Sequence, residues 1–335
     1  MHMVTTTHSV ASEHSGAGAQ TVRTLARVWD QYGMLVIFAI LFALACLFIP
    51  NFSSLINMKG LGLAVSMTGM VACGMLFCLA AGEFDMSVGS IVACSGVACA
   101  VAINLTESIT MGVFAGLGVG LLFGLINGIV VAKFKINALI TTLATMQMAR
   151  GMGYIISDGK AVGIAEESFF DIGNSAFFGI PTPVWITIVC FILFGLLLNK
   201  TTFGRNTLSI GGNEEAARLA GVNVVRTKVI IFTMTSLIAS LAGIILASRM
   251  TSGQPMTSIG FELIVIASCV LGGVSMKGGI GKISYVIAGV LILGIMENAM
   301  NLLNISPFAQ YVVRGLILLA AVLFDRYKQV RKARV

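Results

Sequence analysis

Ten apolar stretches, separated by short polar loops, run through this sequence between residues 33 and 324. They cover 33–50, 61–81, 87–104, 109–132, 137–157, 183–199, 229–247, 262–276, 284–303 and 307–324. An α-helix rises about 1.5 Å per residue, so crossing a hydrocarbon core of about 30 Å takes roughly 20 apolar residues. Most of these stretches reach or approach that length, and no soluble core has room for so many helices that are apolar all round. Composition agrees. Only 10% of the 335 residues are charged and 57% are hydrophobic, where a soluble domain carries about 25% charge. The pattern predicts an all-α polytopic membrane protein of about ten transmembrane helices. It excludes a cytosolic enzyme, a secreted domain and a disordered regulator. The fifth stretch is the most polar, with Thr141, Thr142, Thr145, Gln147 and Arg150, and the eighth, 262–276, is the shortest against the length a span requires.

Basic residues gather on the cytoplasmic side of helical membrane proteins. With the N-terminus inside, that side receives Arg23, Arg27, Lys133, Lys135, Lys200, Arg205, Arg218, Arg226, Lys228, Lys277, Lys282 and the five at Arg326, Lys328, Arg331, Lys332 and Arg334. The remaining five are Lys59, Arg150, Lys160, Arg249 and Arg314. This predicts both termini in the cytoplasm and an even number of spans. Residues 1–28 are polar and lack the apolar centre of a signal peptide, so they read as a disordered cytoplasmic tail. Residues 29–325 form the transmembrane domain, with a cytoplasmic loop at 200–228, and 326–335 a basic cytoplasmic tail. The net charge of +7 follows from this topology. No basic run is interleaved with aromatic residues, so no nucleic-acid partner is expected.

The seven cysteines lie in apolar stretches and form no C-x-x-C pair, so they read as small hydrophobes. The three histidines, His2, His8 and His14, all fall in the first tail. Neither a metal site nor a catalytic constellation is expected. Gly278-Gly279-Ile280-Gly281-Lys282-Ile283 resembles a phosphate-binding loop, but Met276 and Ile283 occupy positions where that motif requires Gly and Ser or Thr. The chain should not bind ATP itself.

The two halves repeat weakly. Gly82, Ser87, Gly89, Gly118 and Asn127 recur 171 residues later as Gly253, Ser258, Gly260, Gly289 and Asn298, and Arg150-Gly151 recurs as Arg314-Gly315. Five spans separate the matching positions. An odd offset reverses orientation, which predicts two inverted five-helix repeats, a transporter signature.

The loop at 204–221 is the most informative stretch. Asn213 is a good N-cap, and Glu214 and Glu215 follow in the first turn, where the helix dipole favours acids. Glu214 and Arg218 stand one turn apart, and Gly221 suits the position after a helix end. Residues 214–220 should form a short, well-capped helix. The Gly212-Asn213-Glu214-Glu215-Ala216-Ala217-Arg218-x-x-Gly221 pattern resembles the coupling-helix loop of the sugar permeases of ATP-binding-cassette importers. This is the branch that includes the ribose, xylose, galactose and L-arabinose permeases. Asp85-Met86-Ser87-Val88-Gly89-Ser90, Asn127-Gly128, Thr142-Leu143-Ala144-Thr145-Met146, Gly272-Gly273-Val274-Ser275 and Arg314-Gly315 resemble the same branch. Asn137-Ala138-Leu139 departs from it, where relatives often carry Pro-Phe.

The resemblance runs from about residue 30 to the end, with most likeness to the L-arabinose permeases. It implies a permease subunit of the bacterial inner membrane, paired with a second copy of itself and carrying a monosaccharide, L-arabinose foremost. It implies a cytoplasmic ATPase with two nucleotide-binding domains, which uses ATP and Mg and docks on Gly204, Arg205, Gly212, Asn213, Glu214, Glu215, Ala216, Ala217, Arg218 and Gly221. It implies a periplasmic sugar-binding protein at the outer face.

A sugar path needs amide, hydroxyl and charged groups beside apolar surface. The candidates are Asn127, Thr141, Thr142, Gln147, Arg150, Asn298 and Gln310, although a helix–helix hydrogen bond is the commoner role for such residues. Glu83 and Asp85 read as carboxylates ending a span at the membrane edge. Glu297 lies within a span, where a charge requires a partner or water. It supports an alternative, a stand-alone proton-coupled secondary sugar transporter, unless Asn298, Asn301 or Arg314 holds it.

Overall fold

The structure, a computed structural model, describes residues 33–333. The expected tail 1–28 and the last two residues lie outside the described residues. Helix α1 (Gly33–Phe48) leads to α2 (Leu55–Ala80), α3 (Val88–Thr106), α4 (Ile109–Ala132) and α5 (Ala138–Ser157). A connecting region follows, with strand β1 (Val162–Gly163), a 3-10 turn (Glu167–Phe170), the single turn α6 (Asp171–Asn174), and the hairpin strands β2 (Ala176–Phe177) and β3 (Ile180–Pro181). Then come α7 (Thr182–Lys200), the short α8 (Thr202–Gly212) and α9 (Glu214–Leu219), and α10 (Val224–Arg249). Strand β4 (Ser252–Gly253), α11 (Phe261–Gly272), α12 (Ile283–Leu302) and α13 (Pro307–Ala333) complete the order. Each of the ten apolar stretches falls on a helix. Six of these, α2, α3, α4, α7, α10 and α12, are long and apolar enough to cross a membrane. The protein is therefore an all-α polytopic membrane protein.

Helix α11 has 12 residues and rises only about 18 Å, too short to cross alone. Gly273 stops it with φ 113°, a left-handed conformation that glycine adopts at little cost. The basic stretch after residue 325 continues the last helix, since α13 runs to Ala333.

Two kinds of helix build the molecule. Helices α2, α3 and α10 are apolar on every side and form the centre, where Met70, Leu76, Phe77, Ile91, Val92, Ile231, Phe232 and Ile245 are buried. Helices α4, α5, α7 and α13 surround them and present Phe114, Leu121, Ile140, Met148, Ile192, Leu193, Leu316 and Leu319 outward. In water such a surface would aggregate; in lipid it is the solvated face.

Between two lipid-soluble helices the hydrophobic effect gives no drive to associate, so close backbone approach matters. Helix α4 supplies it with glycine at every fourth position. A Cβ at Gly124 would lie 2.7 Å from Thr233 Cα, and one at Gly128 would lie 2.8 Å from Val229 Cα. One row of glycines thus lays α4 against α10. Helices α2 and α10 run antiparallel: Cys78 Sγ lies 3.3 Å from Thr235 Oγ1, and the end of α2 meets the start of α10 through Glu83 and Lys228.

Candidate functional site

The short helices α8 and α9 fold back onto one end of the bundle. Thr201 opens α8 by accepting from Gly204 N at 3.2 Å. Asn213 opens α9 by accepting from Ala216 N at 2.9 Å. The helix ends at Leu219, one residue earlier than the spacing predicts. Gly221 then turns the chain back with φ 85°, and Val222 N donates to Ala217 O at 3.0 Å. Ala217 is buried with Ile210, Val222 and Val224 in a small apolar cluster. That fixes which way α9 faces. Asn213, Glu215, Ala216, Arg218, Leu219 and Ala220 look outward, with Leu219 82% exposed, and Arg205 and Gly212 are exposed on α8. Gly204 is buried, and a Cβ there would lie 2.0 Å from Leu198 O.

Glu214 accepts from Arg218 at 3.0 Å, as the one-turn spacing predicts. It also accepts from Lys228 Nζ at 2.7 Å, and the same ammonium donates to Glu83 at 2.5 Å. The hydrogen bond from Lys228, followed by the two positive charges, holds the Glu214 carboxyl below the usual carboxylate range. Lys228 is almost fully buried at the start of α10, and Glu83 lies just beyond α2. One ammonium therefore ties α9 to a helix from each half of the chain. Glycines close the same junction: Gly279 N donates to Ala80 O at 2.9 Å, and a Cβ at Gly278 would lie 2.7 Å from Gly211 O. Gly278 (φ 85°) and Gly279 (φ 75°) adopt the left-handed conformation there. The string that imitates a phosphate-binding loop is backbone packing between the end of α2, the end of α8 and the loop before α12.

Deeper in the bundle a second polar group forms where α3 begins. Asp85 Oδ1 accepts from Ser87 N at 2.9 Å and Ser87 Oγ at 2.5 Å. Asn127 donates to Ser87 Oγ at 2.9 Å, and Thr145 donates to Asn127 Oδ1 at 2.7 Å. Met86 N donates to Thr142 Oγ1 at 3.1 Å. All of these side chains are buried. Asp85, expected as a carboxylate ending a span, follows the end of α2 but is fully enclosed, and its Oδ2 has no partner among the described residues. Residues 83–87 lie outside any helix, and Asp85 folds onto Ser87 there, inside the bundle.

The other path candidates fall elsewhere. Thr141 donates to Asn137 O at 3.0 Å. Arg150 donates to Pro255 O at 2.8 Å and Thr257 O at 2.7 Å, holding the turn segment before α11. Asn298 exchanges hydrogen bonds with Asn57 at 2.9 and 2.8 Å. Gln310 donates to Asn301 and to Ile305 O. Gln147 is exposed on the outward side of α5. Glu297 is ion-paired with Arg314 at 2.8 Å, on the wall of a cavity of about 150 Å³ bounded by Leu263, Leu293, Tyr311 and Leu318. The carboxylate that favoured proton coupling is thus held by one of the partners its sequence suggested. Sequence reasoning missed Lys228, Ser87 and Asn57. Only Asp85-x-Ser87 carried a local signal, the short spacing at which an aspartate binds the chain two residues on.

Lipid-facing helices around an apolar centre that encloses one polar group, with two short helices folded onto one end, fit a membrane transport component. The chain belongs to the family described as "branched-chain amino acid transport system / permease component", whose profile matches residues 57–322. The L-arabinose transport system permease protein AraH of Escherichia coli K12 is 72% identical, with 98% of this chain and 99% of that protein covered. The L-arabinose ABC transporter permease AraH of Azospirillum brasilense is 48% identical, with 93% of each covered. The ribose import permease RbsC of Bacillus subtilis is 42% identical over 83% of this chain and 87% of that protein. No solved structure matches. Membership makes the chain a multi-pass transport component rather than an enzyme, and it removes the stand-alone proton-coupled alternative.

Proposed function

We propose that this chain is the permease subunit of an ATP-driven importer that carries L-arabinose across the bacterial inner membrane. The observation that carries this reading is the 72% identity to an L-arabinose permease over 98% of the chain. In this reading two copies form the translocation path, and a periplasmic sugar-binding protein delivers the sugar. A cytoplasmic ATPase with two nucleotide-binding domains supplies ATP and Mg chemistry from outside this chain. Its binding to nucleotide shifts the permease between two conformations by differential affinity.

The ATPase docks on α9 and the exposed end of α8. The capped geometry of Asn213–Gly221 supports this, because it presents Glu215, Ala216 and Leu219 on a rigid outward face. The link from Glu214 through Lys228 to Glu83 gives a force on α9 a direct route to α2 and α10. Ten apolar segments in two inverted halves, the short α11 among them, with both termini cytoplasmic, suit the antiparallel α2 and α10. They also suit the meeting of Gly89, at the start of α3, with Ser258 and Glu262, at the start of α11. Gly89 and Gly260 are counterparts in the repeat. The Asp85–Ser87–Asn127–Thr145 group adjoins Gly89 in sequence, and the segment held by Arg150 leads into Ser258.

The test is purification from native membranes, followed by ATPase assay with candidate sugar-binding proteins. A co-purifying ATPase stimulated by the L-arabinose-loaded binding protein is expected. Glu214→Ala with Arg218→Ala should express normally but lose both the ATPase and uptake. Normal uptake in that double variant would overturn the docking assignment, and stimulation by a different loaded sugar would overturn the substrate.

A further inference from the structure

The hairpin before α7 carries an exposed aromatic tip that the transport reading leaves unused. Strands β2 and β3 pair Ala176 with Pro181 and Phe177 with Ile180, leaving Phe178 and Gly179 as a two-residue turn. Both turn residues have positive φ, 52° and 74°. Such turns favour Asn-Gly, and a phenylalanine there costs local backbone energy. Phe178 is nevertheless 84% exposed and Phe177 62% exposed. The hairpin is also tightly held. Thr182 N donates to Ser175 O at 2.9 Å, and Trp185 Nε1 donates to Phe177 O at 3.1 Å. The Phe177 ring packs against Phe178 and Trp185. A rigid mount for two exposed aromatic rings needs an apolar or interfacial partner.

The continuation of the chain says which. Trp185 stands at the head of one stripe of α7, followed at helical spacing by Ile188, Val189, Ile192, Leu193 and Leu196, all exposed. Between Asp171 and Lys200 there is no Asp, Glu, Lys, Arg or His. Helix α7 has 19 residues and rises about 28 Å, close to the hydrocarbon thickness of about 30 Å. With Lys200 at one boundary, Thr182 and Trp185 fall at the other. Aromatic residues, tryptophan above all, concentrate at that level.

We propose that the Phe177–Phe178 tip and Trp185 form an anchor in the lipid headgroup layer on the side of the membrane away from α8 and α9. Its occupant is lipid, continuous with the lipid that covers the α7 stripe. The anchor fixes the height of α7 and of the connecting region 158–181 relative to the bilayer.

The test uses the full chain in liposomes. Trp29→Phe leaves Trp185 as the sole tryptophan. A second variant, with Trp29→Phe, Trp185→Phe and Phe178→Trp, moves the probe to the tip. Emission is measured with lipids carrying quenchers near the headgroup or deep in the acyl chain, and with aqueous iodide. Shallow lipid quenchers should remove about twofold more emission than deep ones in both variants, with little loss to iodide. Strong iodide quenching without lipid quenching would place the tip in water and overturn the anchor. Stronger deep quenching, or none by lipid or iodide, would also overturn it, placing the rings among acyl chains or against another protein surface.

Discussion

Glu83 and Asp85 stand two residues apart, yet one belongs to a charged junction and the other to a buried hydrogen-bond group. At the junction full charges meet: Lys228 lies between Glu83 and Glu214, and Glu214 also holds Arg218. Glu214 and Arg218 remain partly exposed, so water shares the cost of charge there. Two residues further on, among the described residues, no cation arrives and Asp85 receives only Ser87; the rest of the group consists of neutral amide and hydroxyl dipoles. The difference teaches where motion can start. The Glu214–Arg218 end of the charge cluster, which reaches water, can be re-paired by a docking protein, whereas a dry network of dipoles holds one arrangement because each broken bond leaves an unsatisfied group.

Lys228→Met attacks the junction and should have the largest effect. It leaves Glu83 enclosed without its cation, a loss of about 3 kcal/mol by the measure of broken buried ion pairs. The apparent unfolding midpoint in detergent should fall by several degrees. Adding Glu83→Gln should recover most of that loss, and no recovery would show that charge balance is not what holds the junction.

Asn127→Leu attacks the neutral network. It removes the donor to Ser87 and the acceptor for Thr145, with an expected cost of about 1–2 kcal/mol, since interhelical hydrogen bonds in membranes are individually modest. Its midpoint should fall less than that of Lys228→Met. A larger fall would reverse the ranking of the two regions.

The smallest effect separates the regions by pH. The folded state lowers the Glu214 carboxyl below its unfolded value, so its contribution is complete above the unfolded value of about 4.3 and declines as pH falls through the folded one. The midpoint difference between the native chain and Glu214→Gln should stay constant from about pH 6 to 8 and shrink below about pH 4. A difference that grows on acidification would contradict the Lys228 pairing.

The capped helix at 214–219 was legible because its signals are local: a cap, acids in the first turn, a one-turn ion pair and a terminal glycine. The apolar stretches were legible because lipid imposes one demand on every span. Asn127, Thr142 and Arg150 were recognisable as polar groups within apolar helices, but not the bonds they make. Asp85 was legible as a carboxylate just beyond a span, but its enclosure was not, because that depends on Asn127, Thr142 and Thr145 from α4 and α5 packing around the start of α3.

The sequence by itself determined that the chain crosses a membrane repeatedly, that its halves echo each other, and that a capped helix lies in one polar loop. Those features depend on composition, periodicity and spacing within a few turns. Only the tertiary structure decided that Lys228 joins Glu83 and Glu214, that Gly211 meets Gly278, and that Asn57 pairs with Asn298. The partners in each case lie tens to hundreds of residues apart. Their meeting depends on how closely packed helices cross, which no local pattern encodes.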